Sequence, residues 1–499
     1  MGSKVSAFDK PNVVLPLAAS YNERGIAGLT TTVTNGKDQR KINAIYEPIV
    51  NAITGKTTLY LVKRPGVTNS GGSYGGTGQL AYLTCRPPGA TVANSAIGAS
   101  WVFSTLSGNT RASDSSTTTV IVAATNNPLY VDHFLISGTE NVVVQLDTTT
   151  NQTVWYSTAI ATFTQITDGD FTALTVLGKM EFLDGYAFIL TSTNSIYNSD
   201  LNSISAWTAT NFITKSIQQD VPVTLARLGN QVIAFGRETM EVFRNAGNAT
   251  GSPLSVIQSM AKNIGFVKLS QGNKATSDRA VLGNTLYFIG STNSLSNASN
   301  GLYAYNGSTV EKVSTPAIDK LIGDVYGVTT QSIFGTPAIS LSLQKIDSTS
   351  PYWLMYFPKY NEWFEWNSTI FMPSNRPGVF LGVGANQHKL YSISITNNWT
   401  DDSTAYTWTH QFQLPSKGNQ RQRMPYMGLK GDTATSAQSI SVEFSDDDYA
   451  SFQTARTIDM TSKEKMLTRC GSWKGSRVVR LSHSGNTEVR LSEFLARIE

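Results

Sequence analysis

Charged side chains are scarce in this sequence, as are cysteine, histidine and long apolar runs. Only 15% of the 499 residues are charged, against about 25% in a typical soluble domain. Thr, Ser, Asn and Gly take their place, which is typical of an all-β protein with polar sheet faces and tight turns. The net charge of +4 is too small to indicate nucleic-acid binding by itself.

The few cysteines and histidines exclude several kinds of site. Cys85 and Cys470 are far apart, and a secreted disulfide scaffold needs more cysteines, so we expect two free thiols in a reducing compartment. No zinc site is predicted, because no histidine lies at metal-ligand spacing among His133, His388, His410 and His483. No run of 18 apolar residues predicts a membrane span, and the first 20 residues lack a signal-peptide core.

Short apolar runs bounded by turn-forming residues recur along the chain. Residues 228–245, LGNQVIAFGRETMEVFRN, predict a β-hairpin. The same plan repeats, without a strict period, at residues 117–132, 184–200, 283–313, 351–367 and 378–394. Such units cannot bury their apolar faces alone but can pack on one another radially, which favours a β-propeller. A β-sandwich or a β-helix is the competing arrangement.

Changes in composition and strand pattern along the sequence predict three segments. Residues 1–65 form an N-terminal arm with the strand that leads into the propeller, 66–400 form the propeller, and 401–499 form a C-terminal β-sandwich domain. Two stretches have weak helical patterns, 315–327 and 40–54, and Pro48 limits the second.

Motifs for catalysis or ligand binding are weak. No G-x-S-x-G sequence occurs, and the Gly-rich loop 71–78 lacks the Lys-Ser/Thr end of a P-loop, so we interpret it as a turn. Ser445, Asp447 and Phe452 approach the spacing of the Asp box, a structural turn of sialidase-like propellers, with Tyr449 in place of its glycine. The adjacent Asp446–Asp448 run is a candidate Ca²⁺ site, but a solvated turn is the simpler interpretation.

Three further clusters are candidates for binding. Glu362 and Glu365 flank Trp363 and Trp366, a combination that could bind a sugar or could form a blade hairpin with buried aromatics. Basic residues gather at 37–41 and at 416–426. In the second cluster, Lys417, Arg421 and Arg423 are candidates for an interface with a negative partner surface, such as a neighbouring subunit, or with a phosphate backbone.

Four stretches of the sequence resemble the packaged DNA stabilization proteins of short-tailed phages, which are tail hub or head-completion proteins, and they occur in the same order along the chain. One of them is the hairpin VIAFGRETMEVFRNAG, whose likeness lies in Phe235-Gly236, Thr239, Glu241 and Phe243. The others are 42–67, which ends in Pro65-Gly66, 300–322, and the closing stretch 470–499. Between about 70 and 180 the sequence departs from the family pattern.

The resemblance implies a structural virion protein and no enzyme. Family members have a β-propeller with an added C-terminal β-domain and dock below the portal and its adaptor. They form a homo-hexameric ring around the DNA channel, help retain packaged DNA, and offer docking surfaces for tail spikes, fibres or a needle. The implied location is the virion tail, assembled in the host cytoplasm, without membrane insertion. No catalytic residue, cofactor or metal is carried over. The alternative, which depends on the Asp-box-like turn and the Trp363/Trp366 stretch, is a carbohydrate-active propeller, either a glycosidase or a lectin-like adhesin.

Overall fold

The structure of this chain is a computed structural model. Strands occur along the whole of its described part, from Val13 to Arg497. The structure describes residues 11–17, 40–50, 55–69, 74, 83–85, 100–106, 109–114, 116–123, 128–147, 151–159, 162–267, 277–292, 300–321, 325–343, 352–393, 399–415, 418–447 and 449–499. Strands dominate these residues, and the all-β prediction is confirmed.

Five strands precede the propeller blades: β1 (Val13–Pro16), β2 (Arg40–Ile42), β3 (Ala44–Val50), β4 (Thr57–Lys63) and β5 (Val67–Asn69). The helix predicted over 40–54 is wrong, because β2 and β3 occupy this stretch. Pro48 cannot donate a helical hydrogen bond, but it is tolerated in β3, which lies at a sheet edge and pairs only with β4.

The next 28 strands by number form seven antiparallel units, which we call blades 1 to 7. Their bounds are β6 (Leu83–Cys85), β7 (Trp101–Leu106), β8 (Asn109–Ser113) and β9 (Thr118–Val122) in blade 1; β10 (Pro128–Ile136), β11 (Thr139–Asp147), β12 (Gln152–Ala159) and β13 (Thr162–Gln165) in blade 2; β14 (Val176–Leu183), β15 (Tyr186–Thr191), β16 (Ser195–Ser199) and β17 (Trp207–Thr214) in blade 3; β18 (Pro222–Leu228), β19 (Gln231–Gly236), β20 (Met240–Asn245) and β21 (Leu254–Val256) in blade 4; β22 (Gly265–Phe266), β23 (Arg279–Leu282), β24 (Thr285–Ser291), β25 (Gly301–Tyr305) and β26 (Val310–Lys312) in blade 5; β27 (Gly327–Ile333), β28 (Thr336–Ser342), β29 (Tyr352–Phe357) and β30 (Glu362–Asn367) in blade 6; and β31 (Phe371–Pro373), β32 (Phe380–Gly382) and β33 (Leu390–Ile393) in blade 7.

Blade 7 is completed by a strand from the N-terminal segment. The early strand β5 pairs antiparallel with β33, and the short strands β34 (Thr400–Asp401) and β35 (Thr404–Ala405) extend the same sheet. In the described residues, the short helices α1 (Gly169–Thr172) and α2 (Pro316–Leu321) lie between blades, and α2 falls in the helical stretch predicted at 315–327. Two 3₁₀ turns cover Gln258–Met260 and Gly384–Asn386.

Hydrophobic contacts join each blade to the next and close the ring. Aromatic pairs cross five of the boundaries between described blades: Trp101 with Phe163, Phe134 with Phe182, Phe235 with Phe288, Tyr287 with Tyr356, and Trp353 with Phe371. Leu190 and Leu225 share a cluster between blades 3 and 4, while blades 7, 1 and 2 share another. At the closure, the Asn375 side chain accepts from the Thr84 amide at 2.9 Å and donates to the Thr84 carbonyl at 3.0 Å. A seven-bladed propeller results.

The remaining strands build two facing sheets, to which the N-terminal strands also contribute, and a separate two-stranded ribbon of β37 and β42. They are β36 (Trp408–Gln413), β37 (Arg421–Arg423), β38 (Tyr426–Gly431), β39 (Ser439–Ser445), β40 (Arg456–Asp459), β41 (Met466–Thr468), β42 (Ser472–Lys474), β43 (Val478–His483) and β44 (Arg490–Arg497). One sheet continues blade 6 in the order β30-β2-β36-β43-β39-β40, and the other runs β3-β4-β44-β38-β41. Phe412 and Phe494 meet between them, with ring centroids 5.2 Å apart. The bounds 1–65, 66–400 and 401–499 stay a prediction, but strand pairing joins the first of these segments to the last.

Candidate functional site: the propeller axis, the interdomain joint and a basic ribbon

Charged side chains on the innermost strands of the propeller meet at its axis. Arg279 on β23 pairs with the neighbouring Asp278, its Nε 2.7 Å from Oδ1, and donates from Nη2 to Thr224 Oγ1 at 2.6 Å. Tyr130 on β10 donates to Asp278 Oδ2 at 2.8 Å. Lys179 on β14 pairs with Asp132 on β10. These contacts connect blades 2, 3, 4 and 5.

In this axial cluster, burial and neighbouring charges act on the pKa of Glu181 in opposite directions. The carboxylate of Glu181 lies 3.6 Å from Lys179 Nζ and 3.8 Å from Arg279 Nη1. Burial raises the pKa of Glu181 above its ordinary value, and the two cations oppose that rise. Sequence analysis missed this cluster, although Lys179 and Glu181 stand out as charges inside an apolar strand. Side chains of blades 2 to 5 therefore contact one another near the propeller axis.

The hairpin that carries the family resemblance is confirmed, and its motif residues hold the connection between blades 3 and 4. Glu241 and Lys215 are fully buried, with Nζ 3.6 Å from Oε1. Glu241 also accepts from the backbone amides of Ser216 and Gln218 at 3.2 and 3.0 Å. Thr239 Oγ1 accepts from Lys215 at 2.8 Å. In this chain these residues thus form an interblade anchor.

Gly236 completes this anchor because no side chain fits there. A Cβ at this position would lie 2.1 Å from Asp220 Oδ2. That oxygen accepts from the backbone amides of Glu238 and Thr239 at 2.7 and 2.9 Å. The hairpin turn and the interblade loop are therefore tied through a carboxylate that needs a glycine beside it.

The joint between propeller and sandwich brings two sequence candidates together. Strand β2 pairs in parallel with β30, and its two cations meet the two glutamates of the aromatic stretch. Lys41 Nζ lies 2.6 Å from Glu362 Oε2, and Arg40 Nε lies 3.0 Å from Glu365 Oε1. Two of the three basic residues at 37–41, Arg40 and Lys41, thus neutralise the acidic pair at 362 and 365, and residues 37–39 lie outside the described residues.

The contacts at this joint argue against a sugar site at residues 362–366. The Trp366 side chain is 1% exposed, and its Nε1 donates to the Ala44 carbonyl at 3.0 Å. Trp363 is half-buried and packs against Tyr356, with ring centroids 4.8 Å apart. A sugar ring has no access to Trp366, and both glutamates are engaged.

Arg64 anchors the joint from inside. Its guanidinium is fully buried and makes two hydrogen bonds to Asp401, at 2.8 and 2.6 Å. It stacks over the Tyr406 ring at 3.8 Å from the centroid. Burial opposes the charge of Arg64, but Asp401 raises its pKa above the ordinary value. A paired and stacked arginine of this kind fixes the geometry of the blade 7 edge relative to the sandwich.

The Asp-box-like turn lies in the sandwich rather than in a blade. Asp447 Oδ1 accepts from the Ser451 amide at 2.9 Å, and the Tyr449 amide donates to Ser445 Oγ at 3.0 Å. Tyr449 has a left-handed backbone, with φ of 69°, the conformation in which the glycine of the motif is favoured. Asp446 forms an ion pair with Arg477, and Asp448 lies outside the described residues. This turn is capped by its own side chains.

The basic ribbon formed by β37 and β42 contains two of the three predicted interface residues. Arg421 and Arg423 are exposed on β37, and Lys474 faces Arg421 across the antiparallel pair. Arg421 donates to Ser472 Oγ at 3.2 Å. Within the described part of the chain, no carboxylate lies within ion-pair distance of these three cations. Lys417 lies outside the described residues, and the interface role of all three predicted residues stays a prediction.

The remaining candidates have no ligand geometry in the described residues. Cys85 and Cys470 are buried and form no disulfide among the described residues, and burial raises the pKa of the Cys470 thiol. The described residues contain no group of three metal-ligating side chains and no helix long and apolar enough to cross a bilayer. The Gly-rich loop 71–78 lies outside them, apart from Tyr74.

Comparisons with solved structures return several matches at low similarity. They include BamB from Moraxella catarrhalis at 9% identity, covering 63% of this chain and 99% of that chain, with a TM-score of 0.32. The WD40 domain of Toxoplasma gondii coronin has 8% identity, covers 67% and 88%, and has a TM-score of 0.34. The exo-β-1,3-galactanase of Phanerochaete chrysosporium has 6% identity, covers 74% and 96%, and has a TM-score of 0.30. Scores this low carry no functional argument. No curated protein matches the chain.

A family model matches the chain more specifically. It is described as Bacteriophage P22 Gp10, beta-propeller, and it matches residues 96–333. The match confirms the resemblance to the phage DNA stabilization proteins and includes the hairpin of blade 4. It also corrects the departure inferred between about 70 and 180, because it begins at residue 96, within the segment where sequence analysis found little likeness. Residues 96–333 of this chain are therefore similar to the β-propeller of the phage-stabilisation proteins.

Proposed function

We propose that this chain is a structural virion protein of a short-tailed phage, a tail hub or nozzle component. It docks below the portal–adaptor complex, lines and helps close the DNA channel, and offers attachment surfaces for tail spikes, fibres or a needle. The family match over residues 96–333 carries this proposal. A location in the virion tail follows from it, with assembly in the host cytoplasm.

The ion pairs at the propeller centre bear on the route that DNA would take. Arg279 pairs with Asp278, and Lys179 pairs with Asp132, between blades 2 to 5. A route beside each propeller, rather than through its centre, would need several copies around a closed channel. This supports the proposed homo-hexameric ring, since closed rings are a common outcome of repeated identical contacts.

A structural rather than enzymatic role agrees with the candidate residues. Glu362, Glu365 and Trp366 take part in the joint between blade 6 and the sandwich. Among the described residues, the carbohydrate-active alternative therefore has no specific contact in its favour.

Deletion of the gene in its phage tests the proposal. We expect filled heads that lose their DNA and lack tails, visible by electron microscopy and by a DNA-content assay of purified particles. Expression of the wild-type chain in trans should restore stable, tailed particles. Mutant particles that keep both DNA and tails but fail to attach to cells would contradict the hub role.

A further inference from the structure

A groove of about 590 Å³ opens where the hairpin tip of blade 6 approaches the sandwich. Tyr46, Phe357 and Trp399 contribute aromatic walls, while Glu47, Glu488 and Arg490 lie on its sandwich side. The groove therefore combines flat apolar walls with carboxylates. That combination suits an arginine side chain, whose stem packs on apolar surface while its head binds carboxylates.

An exposed aromatic residue stands at the rim of this groove. Phe334 is 53% exposed, and it occupies the β27–β28 turn with a φ of 48°, followed by Gly335 at 73°. Two successive positive φ values are typical of a type I′ hairpin turn, which favours Asn or Gly at its first position. A phenylalanine there is strained and gains little from burial, so folding stability does not account for it.

The carboxylates at the groove outnumber the cations that contact them. Arg490 contacts Glu47 at 2.9 Å, Glu488 at 2.9 Å and the nearby Asp432 at 3.6 Å. Three carboxylates thus surround one guanidinium, and the blade 6 side adds a single cation, Lys359. Partial burial, together with Glu47 and Asp432, raises the pKa of Glu488. A second cation would relieve this repulsion.

The basic ribbon of the same chain carries surplus cations but cannot reach its own groove. Arg423 exchanges two backbone hydrogen bonds of 2.9 Å with Glu499, just beyond one end of β44, whereas Arg490 begins the other end. Nine residues of extended chain span about 30 Å. No arginine side chain bridges that distance, so the two surfaces point to different neighbours.

We propose that the groove receives the basic ribbon of a second copy of this chain. Arg421 and Arg423 of one copy lay their stems on the aromatic walls of the next and place their guanidinium groups beside Glu47 and Glu488. The two surfaces differ and lie at opposite ends of one strand. The contact is therefore heterologous, and its repetition generates a ring or a filament. This inference concerns the contact between copies and does not rest on the phage function.

Directed disulfide cross-linking tests the contact on the full chain. The variants Arg423→Cys and Glu488→Cys, mixed in equal amounts, should form a cross-linked dimer. Neither variant alone should form one, because a heterologous contact does not bring identical positions together. The control mixture pairs Arg423→Cys with Asn230→Cys, an exposed turn of blade 4. We expect about tenfold more dimer in the first mixture than in the control. Equal yields would overturn the proposal.

Charge exchange and a turn variant give independent tests by sedimentation of the purified protein. Arg421→Glu with Arg423→Glu should weaken association at least about tenfold, and adding Glu47→Lys with Glu488→Lys should restore it. Phe334→Asn should raise the melting temperature, because Asn suits the turn, and should still weaken association. Association that survives the first pair, or a Phe334→Asn variant that is stabilised but associates normally, would refute the contact.

Discussion

His410 predicts a pH dependence of stability that can be worked out from its surroundings. The side chain is fully buried on β36, stacked on Phe412, and it lies opposite Lys41 in the β2–β36 register. Burial and the Lys41 ammonium lower the pKa of His410 to about 3. An unfolded histidine titrates near pH 6.5. Between these values only the unfolded chain binds the proton, so stability falls as the pH drops below about 6.5.

The expected loss follows from proton linkage. At pH 5 the unfolded state gains about 1.5 pH units of protonation free energy, and the folded state gains almost none. The free energy of unfolding should therefore be about 2 kcal/mol lower at pH 5 than at pH 8 from this residue alone. The loss should cease to grow below about pH 3, where folded His410 also binds the proton.

Urea unfolding followed by tryptophan fluorescence measures this effect as a difference between variants. His410→Met keeps the side chain apolar and similar in length, so its stability should fall by about 2 kcal/mol less than that of the wild type over the same pH interval. His133→Gln, a half-buried histidine that faces Glu140 at 3.5 Å, serves as the control. If the wild type and His410→Met lose stability in parallel, the neutral buried imidazole is refuted.

Three further substitutions test the anchors of the fold by the same unfolding assay. Glu241→Gln leaves Lys215 charged and buried and should cost about 3 kcal/mol, whereas a neutral outcome would mean that the ion pair contributes nothing. Gly236→Ala forces a Cβ against Asp220 and should cost about 1–3 kcal/mol; Gly169→Ala, where no atom lies within 4 Å of the added Cβ, should be close to neutral. Trp366→Ala opens a cavity in the joint and should cost about 3–5 kcal/mol, and full stability with altered glycan binding would revive the carbohydrate alternative.

Local patterns in the sequence predict the strands well but not their long-range partners. The hairpin at 228–245 is predicted because its apolar runs and its turn are contiguous. The 40–54 stretch is mistaken for a helix because its amphipathic spacing is short and ambiguous. Its pairing with β30 and β36 links residues more than 300 positions apart, which no local period reveals. Tertiary pairing overrides weak local preference here.

Long-range strand pairing decides which of the charged candidates keep an unneutralised charge. Residues 37–41 and 362–366 each look like a surface feature when read alone, one basic and one acidic. The parallel pairing of β2 with β30 places them side by side, where Arg40 and Lys41 satisfy Glu365 and Glu362. The basic ribbon has no such partner among the described residues, so its charge remains available for a contact outside the chain.

Because one sheet continues from blade 6 into the sandwich, the proposed contact between the basic ribbon and the groove would also affect the propeller–sandwich joint. The order β30-β2-β36 makes one hydrogen-bonded surface across the joint, and Arg64 ties the edge of blade 7 to Asp401 beside it. The groove lies across this joint, with walls from both sides. Filling it with arginine side chains from a neighbour would therefore stabilise the angle between propeller and sandwich as well as join two copies. In a ring, the geometry of each subunit and the closure of the whole assembly would then be set by the same contact.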